Sequence, residues 1–168
     1  MCPSYLRIKL PKDEAMRRFA AWLNRPELVP PTEVEASKAV ELSCDANGEW
    51  KGCAVFIYEK DGWTVFSDQT GCLGSIPAES WLKLADKDEL VFAGYNDAIR
   101  YGELVVIKAG KVIREFLQDV DAPEENVNKG HLECETDEPI ESWVHVASFV
   151  DEDDLGYQED RGILWIFE

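Results

Sequence analysis

Leu6, Ile8 and Leu10 alternate with Arg7 and Lys9, the two-residue period of a strand with one buried face. The period then changes. Met16, Phe19, Ala20 and Leu23 recur at helical spacing, and Arg25-Pro26 ends the helix because a residue before proline avoids the α region. Pro26, Pro30 and Pro31 mark residues 26–37 as a linker. Val40, Leu42 and Cys44 alternate with Glu41 and Ser43, so a strand is expected there, followed by the turn signal Asp45-Ala46-Asn47-Gly48.

Ala54 to Glu59 and Trp63 to Ser67 are rich in β-branched and aromatic residues, and Lys60-Asp61-Gly62 between them predicts a hairpin. Pro77 to Asp86 reads as a short helix with Trp81, Leu82 and Ala85 inward and Ser75 near its start. Leu90 to Tyr95 reads as a strand, and Glu103 to Ala109 with Lys111 to Leu117 flank Gly110 as a second hairpin. Ile140, Trp143, Val144 and Ala147 are helically spaced, with Pro139 in a first turn that tolerates it. Gly162 to Phe167 is a short apolar strand with both faces buried. Hairpins with interspersed helices predict one α+β domain over residues 1–168, mainly antiparallel sheet with two hairpins and about three helices.

Charge changes the picture of what such a domain meets. The chain has 17 basic and 34 acidic residues, a net charge of −17, which opposes contact with a phosphate backbone and predicts no nucleic-acid partner. Residues 1–25 carry net +4 and residues 26–116 net −7, while residues 117–168 carry net −14. The last third therefore holds most of the imbalance. No apolar run approaches the roughly 20 residues that cross a bilayer, and the first ten residues lack the apolar stretch of a signal peptide. A cytoplasmic protein with no membrane partner is expected. Cys2, Cys44, Cys53, Cys72 and Cys134 form no Cys-x-x-Cys pair, and an odd number cannot all pair in one chain, so they are read as reduced thiols.

Catalytic and metal motifs fall short when tested. A calcium loop counted from Asp151 fits at Asp153 and Gly156 but has Leu155 at its fifth position and Gly162 at its twelfth. Asp119, Asp121, Asn126 and Asn128 could converge oxygens on a cation, yet Asp and Asn also hold loops through backbone hydrogen bonds, and that reading is preferred. His131 and Cys134 lack the second close pair of a zinc site. Cys72 has no activating neighbour in Thr70-Gly71-Cys72-Leu73-Gly74 and reads as a bystander thiol. No catalytic residue, metal or cofactor is assigned.

Trp63-Thr64-Val65-Phe66-Ser67-Asp68 with Thr70-Gly71, then Trp81-Leu82-Lys83-Leu84-Ala85, form one set of distinctive segments. Tyr101 to Ile107, Gly110 to Phe116 and Asn126-Val127-Asn128 continue it. Across roughly residues 50–167 this pattern resembles the immunity proteins, small acidic cytosolic proteins found beside bacterial polymorphic or contact-dependent toxins. The resemblance implies a protein that acts by binding and blocking a toxin, and it implies no catalytic residue.

The expectation is a non-enzymatic protein that neutralises a basic protein partner, possibly a toxin domain, through concentrated acidic charge. Asp119, Asp121, Glu124 and Glu125 form one candidate partner-binding cluster, and Asp151, Glu152, Asp153 and Asp154 the other. Tyr95, Asp97 and Tyr101, in the chemically varied stretch from Gly94 to Gly102, are added as a recognition surface. Two alternatives stand beside this: a small carboxylate-dependent hydrolase, and a structural or regulatory module of a larger complex.

Overall fold

A computed structural model describes residues 4–153, 155 and 158–168. Among them, nine strands form one antiparallel sheet: β1 (Ser4–Ile8), β2 (Glu27–Glu35), β3 (Cys53–Lys60), β4 (Trp63–Asp68), β5 (Leu90–Asn96), β6 (Tyr101–Lys108), β7 (Lys111–Gln118), β8 (Val127–Gly130) and β9 (Arg161–Phe167). Their order is β2-β9-β3-β4-β1-β5-β6-β7-β8. Four α-helices cover it: α1 (Lys12–Leu23), α2 (Ala36–Ser43), α3 (Ala78–Ala85) and α4 (Trp143–Glu152). The fold is α+β, with one more helix than the sequence pattern predicts.

Strand alternation distributes the apolar side chains to two faces. On one face Leu6, Ile8, Phe66, Phe92, Val105 and Trp165 pack with Phe19 of α1 and Trp81 of α3. Rings stack through this core, with Trp81 4.8 Å from Phe92 and 4.9 Å from Trp22. On the other face Val91, Ala93, Leu104, Val106 and Phe116 lie under α4, while Phe56, Val65, Leu164 and Ile166 lie with Ala39 of α2.

Two predicted elements are corrected. The presumed linker 26–37 contains β2, an outermost strand that pairs only with β9. An outer strand tolerates Pro30 and Pro31, and its register shifts between Glu27 and Thr32 accommodate them. The presumed strand through Val40 and Leu42 is α2, which buries Ala39 and Ser43 four residues apart and leaves Val40 and Leu42 exposed, while Cys44, just past the helix, forms an isolated bridge to Trp50. Its two-residue alternation belongs to outward residues and carries no information about the core. A smaller correction concerns α4, which begins at Trp143, after Pro139 and Ile140.

Ile140 is held outside the helix by a buried ion pair. Arg114 on β7 and Glu135 meet through two hydrogen bonds of 2.8 and 2.9 Å, and both side chains are nearly inaccessible. Arg114 also donates to the carbonyls of Glu115, Lys129 and Ile140, and Glu135 accepts the N–H groups of Leu132 and Ile140. Burial alone would raise the Glu135 carboxyl, but these donors outweigh it and hold it below the usual carboxylate range. The pair fastens residues 132–140 over the sheet and sets where α4 starts.

Candidate functional site

A polar side chain on the hydrophobic face of a sheet is costly unless something holds it. Three lie in register across adjacent strands on the face covered by α1 and α3: Asp68 is opposite Ser4, Ser4 opposite Gly94, and Gly94 opposite Glu103. Ser4, Asp68 and Glu103 are each 4 % exposed.

Asp68 is fully engaged. Its oxygens accept from Ser4 Oγ at 3.0 Å and from the N–H groups of Thr70, Gly71 and Leu73 at 3.0, 2.8 and 2.8 Å. These bonds wrap residues 69–73 around the end of β4 and lead the chain to Ser75, whose φ of +59° turns it toward α3. From there the Ser75 N–H donates to Glu103 Oε2 at 2.9 Å, and Tyr101 Oη donates to the same oxygen at 2.5 Å. Ser75 Oγ and Tyr101 Oη are 3.2 Å apart.

Glu103 differs from Asp68 in what remains free. Among the described residues its Oε1 accepts no hydrogen bond, yet that atom is not sealed from solvent. Burial pushes the carboxyl up to about 7, with the bonds from Tyr101 and Ser75 offsetting this only in part. The Tyr101 hydroxyl is itself raised, by burial first and then by the charge and hydrogen bond of Glu103.

Two cavities meet at Glu103 and Ser75. One, of about 250 Å³, has Gly71, Gly74 and Gly94 in its lining and Tyr95, Tyr101 and Asp119 around it. The other, of about 190 Å³, runs past the start of α3 and includes Glu115 and Glu125. Among the described residues no Lys, Arg or His lines either cavity. Together they form a groove with four carboxyl-bearing residues and no lining cation.

The groove collects part of what the sequence nominates. Tyr101 and Asp119 share the first cavity, Tyr95 borders it but packs with the cluster under α4, and Glu125 borders the second. Asp121 and Glu124 are exposed on the same loop, and Asp97 is exposed in the turn between β5 and β6. Asn126 Oδ1 accepts the Asp119 N–H at 2.7 Å, and Asp119 Oδ1 accepts the Asp121 N–H at 2.9 Å, the loop-holding use of these side chains.

The second acidic cluster lies elsewhere. Asp151, Glu152 and Asp153 are exposed at the end of α4, on the opposite face, where Asp153 forms an ion pair with Arg7. The Arg7 guanidinium sits 4.6 Å from the Trp63 ring centre. Asp154 and Gly156 lie outside the described residues.

Among the described residues no group of three or more His, Cys, Asp or Glu is arranged to hold a metal, and Cys44, Cys53, Cys72 and Cys134 are free thiols. Burial and the Asp68 charge push the Cys72 thiol up, away from the thiolate a nucleophile needs. No helix among the described residues is long and apolar enough to cross a membrane.

Sequence reasoning missed Glu103 and Ser75 as site residues. The available signal is the phase of Glu103, which faces the same way as Val105 and Ile107 and so places a carboxyl inward. Comparison with known proteins found no matching family model, curated protein or solved structure.

Proposed function

We infer that this protein is a non-enzymatic binding protein that neutralises a basic protein partner, in the manner of an immunity protein blocking a bacterial toxin. The observation that carries the reading is the groove at Glu103, where two adjoining cavities are lined by carboxyl-bearing residues of β6, β7 and the loop after β7 and, among the described residues, by no cation. The exposed acids Asp121 and Glu124 extend the same negative field into solvent, where it steers a basic partner and raises the encounter rate. The charges at the end of α4 contribute at longer range, with Asp153 partly neutralised by Arg7.

The test is the association rate with the purified product of the gene beside this one, measured in low and in high salt. The combined variant Asp119→Lys, Asp121→Lys, Glu124→Lys and Glu125→Lys is expected to associate about tenfold or more slowly in low salt and to lose most of the salt dependence. Unchanged low-salt rates in a folded variant overturn the electrostatic reading. Co-production of the two proteins supplies the functional arm, since a blocker restores growth to cells that carry the partner alone.

The hydrolase reading has one observation in its favour, a carboxyl near neutral pKa inside a cavity. It predicts turnover that Glu103→Gln abolishes, whereas the binding reading predicts none to abolish.

A further inference from the structure

We propose that the Glu103 groove is the seat for a single arginine side chain of the basic partner, with Glu103 Oε1 accepting from its guanidinium. This rests on the reading of the protein as a binder of a basic partner and names the chemistry by which that partner is held. Three features of the groove converge on it.

The first is the unused acceptor. Glu103 is almost wholly buried and lines both cavities, its Oε2 is occupied by Tyr101 and Ser75, and its Oε1 has no donor among the described residues. A buried carboxylate without a countercharge is unfavourable, so a cationic donor arriving from outside gains both the hydrogen bond and the relief of that cost. The second is the lining: Asp119 lines one of the two cavities that meet at Glu103, Glu115 and Glu125 line the other, and among the described residues no lining cation competes in either. Lys129 approaches Glu115 at 3.7 Å but does not line either cavity. The third is shape. Tyr101 supplies a flat ring beside the carboxyl, and Gly71, Gly74 and Gly94 in the lining add no side-chain bulk. A planar guanidinium uses both features, since it stacks on rings and forks its donors toward a carboxylate, where a lysine ammonium offers a point charge.

The groups facing Glu103 also set how pH enters. Tyr101 from the same strand contacts it directly, Ser75 contributes an N–H, and the neighbouring strands contribute Gly94 and Leu117. Asp119, Glu115 and Glu125 are the other charged groups of the groove. An incoming cation binds the ionised carboxylate, so binding displaces a proton wherever the free protein still holds one.

The experiment uses the full chain and a small probe, N-acetyl-arginine-methylamide, with the citrulline and lysine counterparts as controls. Backbone amide resonances of Ser75, Gly94 and Tyr101 are followed by NMR titration. The arginine probe is expected to shift them, with the neutral citrulline probe binding about tenfold more weakly and lysine in between. Affinity for the arginine probe is expected to rise about tenfold from pH 6 to pH 8 and then level off. Glu103→Gln should remove that pH dependence and weaken binding about tenfold or more. Equal binding of arginine and citrulline by the unaltered protein overturns the proposal without need of any variant, as does a pH profile that Glu103→Gln leaves in place. If the probe fails while the basic partner still associates in a salt-dependent way, the groove is not the seat and the broader reading stands. If the probe binds as expected but no basic protein partner associates, the cation seat stands and the broader reading falls.

Discussion

Glu103 and Glu135 are both 4 % exposed, and they have opposite fates. Glu135 meets Arg114 in two hydrogen bonds and accepts two backbone N–H groups besides, so its charge is completed within the protein. Glu103 has a phenol and one N–H on a single oxygen and, among the described residues, no lining cation. The Glu135 carboxyl is held below its ordinary value and the Glu103 carboxyl is raised to about 7. Equal burial therefore says little about role. What matters is whether the fold supplies the countercharge: where it does, the carboxylate fastens a segment, and where it does not, the carboxylate is left for something that comes from outside.

Breaking the completed pair should have the largest effect. Arg114→Met leaves Glu135 buried without its cation, and denaturant unfolding should show a loss of about 3–5 kcal/mol. Residues 132–140 should also lose protection from hydrogen exchange, since their anchors to β7 are gone. A loss below about 1 kcal/mol would mean the pair is not what closes this face.

The uncompensated carboxyl should respond in the opposite sense to pH. Its folded value of about 7 stands above the ordinary 4.5, so the folded state holds the proton more tightly and stability is lost as pH rises from about 4.5 through about 7. Over that window the cost is about 3 kcal/mol. Glu103→Gln does not titrate, so its stability relative to the parent should grow by about that amount between pH 4 and pH 8 in parallel denaturation curves. A difference that stays flat with pH would show that Glu103 is compensated after all.

The smallest effect belongs to the exposed pair. Asp153→Asn removes the partner of Arg7 at the end of α4, and thermal unfolding should report a change of at most about 1 kcal/mol because solvent screens an exposed ion pair. The ranking itself, buried pair over buried single carboxyl over surface pair, is the sharper check.

Legibility followed the same division between faces and charges. The strands around Phe56, Phe66 and Phe92 were readable because long apolar runs and an Asp-Gly turn admit few other structures. The net −14 of residues 117–168 was also plain, but its two clusters fold onto opposite faces, which no one-dimensional count reports. β2 was hidden because prolines forbid a central strand while permitting an outer one, and position in a sheet is not written locally. α2 was hidden because its exposed Val40 and Leu42 imitate a strand, while the buried Ala39 and Ser43 that define its inner side are small and weakly patterned. Glu103 sits in a stretch where both faces are apolar, so its phase with Val105 and Ile107 marks it as inward, while its role emerges only from the tertiary contacts with Ser75 and Tyr101.

The sheet order carries a consequence for how the chain is made. β9 lies between β2 and β3, and among the strands β2 has no other neighbour. While the polypeptide emerges from the ribosome, β3 can pair with β4, and β5 with β6, as soon as each hairpin is out. β2 must wait for residues 161–167, more than a hundred positions later, and until then β3 presents an unpaired edge that carries Val55, Phe56 and Ile57. A nascent chain stalled before residue 161 thus has seven of the nine strands able to pair and an adhesive border at β3, and that is the stage at which a chaperone has most to protect.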